Sequence, residues 1–360
     1  MGILTGIIAF IILLPIIVFV HEYGHFLFAR INGVCVESFS IGFGPSLFEW
    51  KDKHNTVWKI SAIPLGGYVK MLGQSDTPES AKEKAEKAKK LTAKEKAESF
   101  QFKKVYQKAS IVFAGPFFNF VFGFLLFFSL FFFKGIPNTT SIVMDVVKDS
   151  PAYSSGIKTG DIFVSINGTL VENPRSIGKI IKSSNGKKLD IVVNRSGKNI
   201  DISVIPEQKN DSYFLGVSYA SKFENYKKIG FVKSIQESYS SIKNIVVDTV
   251  KSLGEILIGS RSSKELGGMI SIAKVSGEAL SSGFYSFLYL MSFISVSLGL
   301  FNLFPIPVLD GGYLFMYMIE GIIRREIPEK IKEIIFSIGF MFIIFLLLLS
   351  NFNDILRIVK

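Results

Sequence analysis

Cysteine and histidine are scarce in this sequence of 360 residues, which contains one cysteine and three histidines. A single cysteine excludes a framework of disulfide bonds. Three histidines leave few ways to assemble a metal site with nitrogen ligands, so a site of that kind must use nearly all of them. Each histidine is therefore informative about function.

The sequence also lacks the polar composition of a water-soluble protein. Hydrophobic residues make up 48% of it, 35 residues are Phe, and the mean hydropathy is +0.38. This composition indicates a membrane protein. A helix needs about 20 apolar residues to cross the hydrocarbon core. Four stretches are predicted to cross it, at about Ile3 to Phe28, Ala109 to Phe133, Phe284 to Phe304 and Ile334 to Leu349.

The first apolar stretch lacks the features of a cleavable signal peptide. No Lys or Arg precedes it, and no small-x-small cleavage site follows it. We therefore expect it to stay in the membrane as a helix.

The net charge of +11 is concentrated in two connecting segments. Lys and Arg are frequent in residues 30–108, and they recur in the connection before the last apolar stretch. Because basic residues collect on the cytoplasmic side of membrane proteins, both segments are predicted to be cytoplasmic. The N-terminus and the region between the second and third spans are then extracytoplasmic. The charge is explained by topology, and no nucleic-acid partner is expected.

The first cytoplasmic segment contains two distinct patterns. Val57 to Met71 has two β-prone arms around Pro64 and the Gly66-Gly67 pair, which predicts a β-hairpin. Such a hairpin either dips into the bilayer with its backbone groups paired, or forms a small cytoplasmic hairpin. Lys82 to Lys96 alternates Lys, Glu and Ala, which predicts a solvated helix or a disordered run.

The region after the second span resembles a PDZ domain. The resemblance rests on Ser150-Pro151-Ala152, the G-x-x-x-G-D pattern from Gly156 to Asp161, Ile166-Asn167-Gly168, and a hairpin formed by Leu189 to Val193 and Ile200 to Val204. PDZ domains bind extended peptides by adding a strand to a sheet edge beside a helix, so a peptide ligand is expected. The alternative is a β-rich spacer without a ligand.

The first apolar stretch contains an H-E-x-x-H motif, His21-Glu22-Tyr23-Gly24-His25. Side chains four residues apart share one face of a helix, so both imidazoles can bind one zinc ion, and Glu22 can act on its bound water. Ionisable groups are costly inside a bilayer, which favours a functional role. The alternative is a pair of structural histidines packed among helices.

A hydrolytic zinc site needs a third protein ligand. His54 lies among polar residues of the cytoplasmic segment and is interpreted as a surface residue. Asp310 follows Phe301 to Leu309, a stretch in which prolines interrupt the third span and predict irregular backbone lining a cavity. Asp310 is therefore predicted as the third ligand. The alternative is that Asp310 caps a helix starting near Gly312.

These motifs together resemble the bacterial site-2 protease family of intramembrane zinc metalloproteases. The resemblance covers nearly the whole chain and includes A-G-P-F-F-N from Ala114 to Asn119 and N-L-F-P-I-P-V-L-D-G-G from Asn302 to Gly312. It implies that His21, His25 and Asp310 bind zinc and that Glu22 is the general base.

The same resemblance implies roles for residues near the metal. Asn302 would contact the substrate near the scissile bond, and the Gly66-Gly67 hairpin would be a re-entrant β-loop that presents an edge to an extended substrate. The chain departs from the family in two places. It has room for one PDZ domain where better-known members have two, and Tyr313 stands where a His often follows D-G-G.

The expected architecture is a polytopic α-helical membrane protein of about four transmembrane helices with a re-entrant β-hairpin and an inserted extracytoplasmic α+β PDZ domain. The predicted segments are 1–30 (first helix, H-E-x-x-H), 31–108 (cytoplasmic loop with hairpin and charged helix), 109–134 (second helix), 135–225 (PDZ domain), 226–283 (partly amphipathic linker), 284–310 (third helix), 311–333 (cytoplasmic connection) and 334–360 (fourth helix and C-terminus).

The expected function is intramembrane zinc proteolysis in a bacterial inner membrane. The expected substrates are single-pass membrane proteins, such as an anti-sigma factor, or signal-peptide remnants. Two other classes remain open: a zinc-binding membrane transporter, which would need no Glu22 beside the metal, and a noncatalytic membrane adaptor that recruits partners through its PDZ domain.

Overall fold

The computed structural model describes residues 3–74, 91–171, 174–209, 212–265 and 267–359. The chain forms two compact units. The membrane unit consists of Met1–Leu130 and Val232–Lys360, and the insert consists of Phe131–Phe231.

The α-helices of the described residues are α1 (Ile3–Ile31), α2 (Ala93–Glu98), α3 (Val105–Ser129), α4 (Pro151–Ser154), α5 (Pro174–Ser183), α6 (Phe231–Ile258), α7 (Met269–Ser281), α8 (Phe284–Leu303), α9 (Asp310–Ile323) and α10 (Glu329–Val359). The strands are β1 (Val36–Lys51), β2 (Val57–Met71), β3 (Ile136–Val146), β4 (Ile162–Ile166), β5 (Thr169–Leu170), β6 (Leu189–Arg195), β7 (Lys198–Val204), β8 (Glu207–Lys209), β9 (Ser212–Phe214) and β10 (Val217–Lys227).

Four helices in the described part of the chain are long and apolar enough to cross a membrane, at Leu4–Ile31, Val105–Lys134, Phe284–Leu303 and Lys330–Arg357. This confirms the prediction of a polytopic membrane protein with about four spanning helices. Of the predicted charged helix, residues 82–90 lie outside the described residues, and Ala93–Glu98 forms α2.

Small residues bring α1, α3 and α8 close together. A Cβ atom on Gly24 of α1 would lie 2.4 Å from the Ala114 carbonyl oxygen of α3. A Cβ atom on Gly299 of α8 would lie 2.9 Å from the carbonyl oxygen of Pro116. Neither position has room for a larger residue, and close approach of this kind is how helices pack tightly within a membrane. These contacts fix the relative positions of the three helices that surround the candidate site.

The segment 226–283, predicted as a linker, contains α6 and α7, and α7 packs against α1. A Cβ atom on Gly277 would lie 2.7 Å from the Cα of Gly6. Asp354 of α10 is 2% exposed, and its carboxylate accepts hydrogen bonds from the backbone N–H groups of Gly268, at 2.9 Å, and Ser271, at 2.8 Å. The carboxylate thus satisfies unpaired N–H groups at the start of α7 and ties the last spanning helix to it.

The predicted cytoplasmic connection at 311–333 also contains a helix. Most of its first half belongs to α9, which contacts both α3 and α8. At 14 residues α9 is too short to span the bilayer, which is why the hydropathy pattern gave no separate helix here.

The sheet of β1 and β2 differs from the predicted hairpin. Ser38 to Ile41 of β1 lies opposite Gly67 to Lys70 and also opposite Val57 to Ile60. Because a strand has one neighbour on each side, this part of β1 separates the two arms of β2. The prediction that the two arms pair with each other is therefore wrong. The pattern within Val57 to Met71 contained no information about β1, which forms the partner strand for both arms.

The insert contains a six-stranded sheet with the order β10-β3-β4-β6-β7, and β5 pairs with β4. Its core is an apolar cluster that includes Val143, Phe163, Ile166, Ile177 and Leu215. Ile177 belongs to α5, so this helix contributes to the same core as the sheet.

A buried ion pair joins the start of β4 to the end of β6. Asp161 is 0% exposed, and its Oδ1 lies 2.7 Å from Nε of Arg195. Burial raises the pKa of Asp161, but hydrogen bonds from Arg195 and from the Lys158 N–H outweigh burial and hold the pKa below its usual value. The carboxylate is therefore charged and depends on Arg195.

Replacing Arg195 with Met should lower the free energy of unfolding of the insert by about 3 kcal/mol, because the carboxylate would remain buried without its partner. Hydrogen exchange of peptides from β4 and β6 in the full-length protein in detergent measures this change. Lys198→Met, at an exposed position in β7, is the control and should leave exchange unchanged. Equal protection in Arg195→Met and wild type would contradict the stabilising role of the pair.

Candidate metal centre

The H-E-x-x-H motif lies on α1, and the helix brings its two histidines together. His21 and His25 are each 9% exposed, and their Nε2 atoms are 3.2 Å apart. Nδ1 of His25 lies 2.9 Å from the carbonyl oxygen of Ile111 on α3. Because a carbonyl only accepts, Nδ1 of His25 donates, and in the neutral ring Nε2 keeps the lone pair that a metal needs.

The third predicted ligand reaches the same point from α9. Oδ2 of Asp310 lies 3.1 Å from Nε2 of His21 and 3.5 Å from Nε2 of His25. The backbone before α9 turns back tightly, since a Cβ atom on Gly311 would lie 2.2 Å from the carbonyl oxygen of Phe304. Leu309 is the N-cap of α9 and Asp310 is its first residue, so the carboxylate is not the cap that the alternative required.

The three atoms fit a zinc ion. Ligand atoms about 2.0–2.1 Å from a tetrahedral zinc ion are about 3.3–3.4 Å apart, and the three separations here are 3.1, 3.2 and 3.5 Å. Oδ2 of Asp310 is buried, and no described residue donates a hydrogen bond to it. A buried carboxylate oxygen without a donor, facing two imidazole nitrogens, is the arrangement that a cation would satisfy.

Glycine 115 of α3 keeps the space beside the histidines open. A Cβ atom there would lie 2.3 Å from Nε2 of His25 and 2.9 Å from Cε1 of His21. Any other residue at this position would displace the imidazoles. The glycine of the A-G-P-F-F-N motif is therefore required by its close contact with the two histidines.

Glu22 is partly buried and interacts electrostatically with His21, His25 and Asp310. The β1–β2 sheet lies directly against it, since a Cβ atom on Gly67 would be 2.9 Å from Cγ of Glu22. Gly66 has a φ of +134° and a Cβ atom there would be 2.5 Å from the Phe43 ring, so both glycines are required by close contacts.

Two further residues were considered in the sequence analysis: Asn302, expected to contact the substrate, and His54, interpreted as a surface residue. Asn302 is partly buried in the last turn of α8, shortly before the irregular segment that leads to Asp310. His54 is exposed, and its backbone N–H donates to Asp52 at 2.8 Å. Within the described residues, the group of His, Cys, Asp and Glu side chains that converges for a metal is His21, His25 and Asp310.

Asn119 also lies at this site, although no role was predicted for it. It is 0% exposed, and its side-chain amide lies 3.2 Å from Nδ1 of His21. An amide in an apolar helix indicates that a polar group lies opposite it. That this group is His21 depends on the packing of α1 against α3 and could not be predicted from the amide alone.

The comparison with known proteins agrees with this geometry, since residues 9–346 match peptidase family M50. The chain belongs to peptidase family M50. A protein of Agrobacterium fabrum named as a zinc metalloprotease is 34% identical to this chain over an alignment of 366 residues, gaps included. The alignment covers 98% of this chain and 97% of the relative. A protein of Brucella suis with the same type of name is 34% identical over 97% of this chain and 94% of its own. A third, from Lactococcus lactis, is 30% identical over 98% of both chains.

The M50 family is the site-2 protease family, so the predicted resemblance is confirmed. The chain is a multi-pass membrane zinc metalloendopeptidase of the site-2 protease type. Neither the transporter nor the noncatalytic adaptor describes this M50 protein.

Replacing Asp310 with Ala should reduce bound zinc and proteolysis together, because two imidazoles remain where an M50 hydrolase needs three protein ligands. Zinc content of the purified protein, measured with cleavage of a transmembrane peptide, tests this. His54→Ala is the control and should change neither. A full complement of zinc in Asp310→Ala would show that another residue supplies the third ligand.

Proposed function

We propose that this protease hydrolyses peptide bonds within or next to transmembrane segments of single-pass membrane proteins or of signal-peptide remnants in a bacterial inner membrane. The observation that supports this most directly is the position of His21 and His25, which lie inside the apolar helix Leu4–Ile31. A metal bound there acts on a bond that has entered the membrane, so the substrate is itself a membrane segment.

His21, His25 and Asp310 would hold the zinc ion, and a zinc ion held there would supply Lewis acidity toward the attacking water and the peptide carbonyl. Glu22 accepts the proton of the attacking water and delivers it to the leaving amine. Asp310 contributes negative charge to the ligand set, and its position in the first turn of α9 is favourable for a carboxylate. His25 is held in its orientation by the carbonyl of Ile111.

The β1–β2 sheet would present the substrate to Glu22. Residues 67–71 pair with β1 and form an edge strand of the sheet. Gly67 in this edge strand lies next to Glu22. A transmembrane helix must unwind before its shielded carbonyls can be attacked. A strand edge offers the unwound backbone replacement hydrogen bonds within the membrane.

The tip of this sheet supports a re-entrant position in the bilayer. Large apolar side chains near the bends of β1 and β2 are exposed: Phe43, Leu47, Phe48, Ile63 and Leu65. Exposed apolar side chains are favourable in lipid and costly in water. Part of the backbone of this region is paired within the sheet, with Phe43 opposite Ile63 and Phe48 opposite Ile60, and such pairing is what residues inside a membrane require.

Asn302 would contact the substrate backbone or the developing oxyanion through its side-chain amide. It lies next to Leu303, whose carbonyl oxygen would be 2.3 Å from a Cβ atom on Gly311. The end of α8 is therefore packed against the start of α9, which carries Asp310. A donor in this neighbourhood is suitably placed to stabilise negative charge on a substrate oxygen.

The insert would act as an extracytoplasmic PDZ domain. A cavity of about 260 Å³ lies between α5 and the start of β10, and its lining includes Ile181, Leu215, Gly216 and Tyr219. β10 is the outermost strand in the sheet order, so a peptide can extend the sheet there beside α5. The expected ligand is an extended peptide with an apolar side chain in the cavity.

Replacing Glu22 with Gln should leave zinc bound, because Glu22 is not in the ligand set, and should reduce cleavage by about 10²-fold or more, because an amide does not take up the proton. The measurement is the rate of cleavage of a transmembrane peptide in detergent, with zinc content determined on the same sample. Cleavage by Glu22→Gln at the wild-type rate would contradict the role of general base.

Deleting residues 136–227 should leave zinc binding and proteolysis in place, because His21, Glu22, His25 and Asp310 belong to the membrane unit. A short Gly-Ser linker can replace the deleted residues, since a Cβ atom on Gly135 would lie 3.1 Å from the Cα of Lys228. The measurement is cleavage of one transmembrane substrate with and without a large extracytoplasmic domain.

The two substrate versions separate two roles of the insert. If the insert excludes bulk, the deletion increases cleavage of the longer version. If it recruits peptides, the deletion decreases cleavage of the shorter one. Loss of cleavage of both versions by a zinc-loaded deletion variant would contradict a role in access and indicate that the insert helps to form the active site.

A further inference from the structure

Asn119 is a fully buried polar residue in the apolar helix α3. Its backbone carbonyl oxygen accepts a hydrogen bond from Oγ of Ser295 on α8 at 2.9 Å. Its side-chain Nδ2 lies 3.2 Å from Nδ1 of His21, and its Oδ1 has no hydrogen-bond partner among the described residues. A buried amide that faces a metal-site histidine while its oxygen is unsatisfied requires an explanation.

The chemistry of the imidazole decides which amide atom faces it when a metal is bound. If Nε2 of His21 is a ligand, it carries no proton, so Nδ1 of the neutral ring carries one and must donate. The amide nitrogen of Asn119 is also a donor, and two donors cannot form this hydrogen bond. Rotation of the amide by 180° exchanges two atoms of nearly equal size and brings the oxygen to Nδ1.

His25 provides an internal comparison. Its Nδ1 donates to the backbone carbonyl of Ile111, which also belongs to α3. One helix therefore contacts the outer nitrogen of both histidines, through a backbone carbonyl for His25 and through the side chain of Asn119 for His21. Acceptors in these positions fix the tautomer and the ring orientation of metal-binding histidines.

We propose that Asn119 is a positioning residue for zinc: its side-chain oxygen accepts the Nδ1–H of His21 and holds Nε2 toward His25 and Asp310. This inference rests on the proposed role of His21 as a ligand. Asn119 acts through His21 and does not touch the substrate or the reacting atoms.

The neutrality of the amide is part of this role. An amide accepts the hydrogen bond of an imidazole without carrying a charge. A carboxylate at position 119 would also accept the hydrogen bond, but it would add a negative charge inside the membrane. Asn is thus the side chain that accepts the bond without changing the net charge of the site.

The test is the zinc affinity of full-length variants in detergent, measured by competition with a chromophoric chelator. Asn119→Leu, which has a similar shape but no acceptor, should bind zinc about 10- to 100-fold more weakly. Asn119→Asp, which accepts and does not donate, should bind zinc at least as tightly as wild type. Ser295→Ala removes the hydrogen bond to the Asn119 backbone and, as the matched control, should stay within about threefold of wild type.

A second measurement separates positioning from a purely structural role. The increase in Tm on adding zinc should be smaller in Asn119→Leu than in wild type, because weaker binding stabilises less, whereas a purely structural role would lower the Tm of zinc-free and zinc-loaded protein equally. If Asn119→Leu does not fold, Asn119→Ala takes its place, since alanine also lacks an acceptor, and it should show the same loss of zinc affinity.

Two results would overturn the proposal: wild-type zinc affinity in folded Asn119→Leu, or a loss of affinity in Asn119→Asp equal to that in Asn119→Leu. Asp310→Ala in the same assay tests the proposed ligand set separately from the role of Asn119. If Asp310→Ala weakens zinc binding and Asn119→Leu does not, the ligand set stands and the role of Asn119 is wrong. If Asp310→Ala binds zinc normally, the ligand set itself is wrong.

Discussion

The close contact between α1 and α3 is the constraint on which the candidate metal centre depends. Gly24 and Gly115 sit at this contact, and neither has room for a Cβ atom. The contact brings the Ile111 carbonyl and the Asn119 side chain of α3 to the outer nitrogens of the two histidines, and the Nε2 atoms of both rings lie near Oδ2 of Asp310. A larger residue at Gly115 would push against the imidazoles themselves. The packing of α1 against α3 therefore also determines the geometry of the metal site.

Polar groups are costly inside a bilayer, and two features of the chain reduce this cost. The ionisable residues His21, Glu22, His25 and Asp310 are gathered at one place, where a cation can balance them. The β1–β2 sheet lies against Glu22, and under the proposed function its edge would give an unwound substrate segment partners for its backbone hydrogen bonds. Water-dependent chemistry and an extended peptide are both unfavourable in lipid, and the proposed function requires both at this site.

The sequence was most informative where a short pattern determines the chemistry. The four-residue spacing of His21 and His25 was sufficient to predict their shared helix face, and Asp310 was recognisable as a carboxylate in an apolar context. The four spans followed from length and hydropathy. Contacts between distant segments were not predictable in this way: the partner of both arms of β2 is β1, the helix α9 is too short for a hydropathy signal, and Asn119 meets a histidine 98 residues away in sequence.

In the proposed centre, two imidazoles and one carboxylate of the membrane unit hold a zinc ion. X-ray absorption at the zinc edge of the purified full-length protein tests this ligand set most directly, because this measurement reports the ligand atoms themselves. The predicted result is two imidazole nitrogens at about 2.0–2.1 Å with a carboxylate oxygen at about 2.0–2.2 Å, and loss of this signature in Asp310→Ala. A spectrum with three imidazoles, which would require His54, or with a sulfur ligand from Cys35, would rule out His21, His25 and Asp310 as the ligand set.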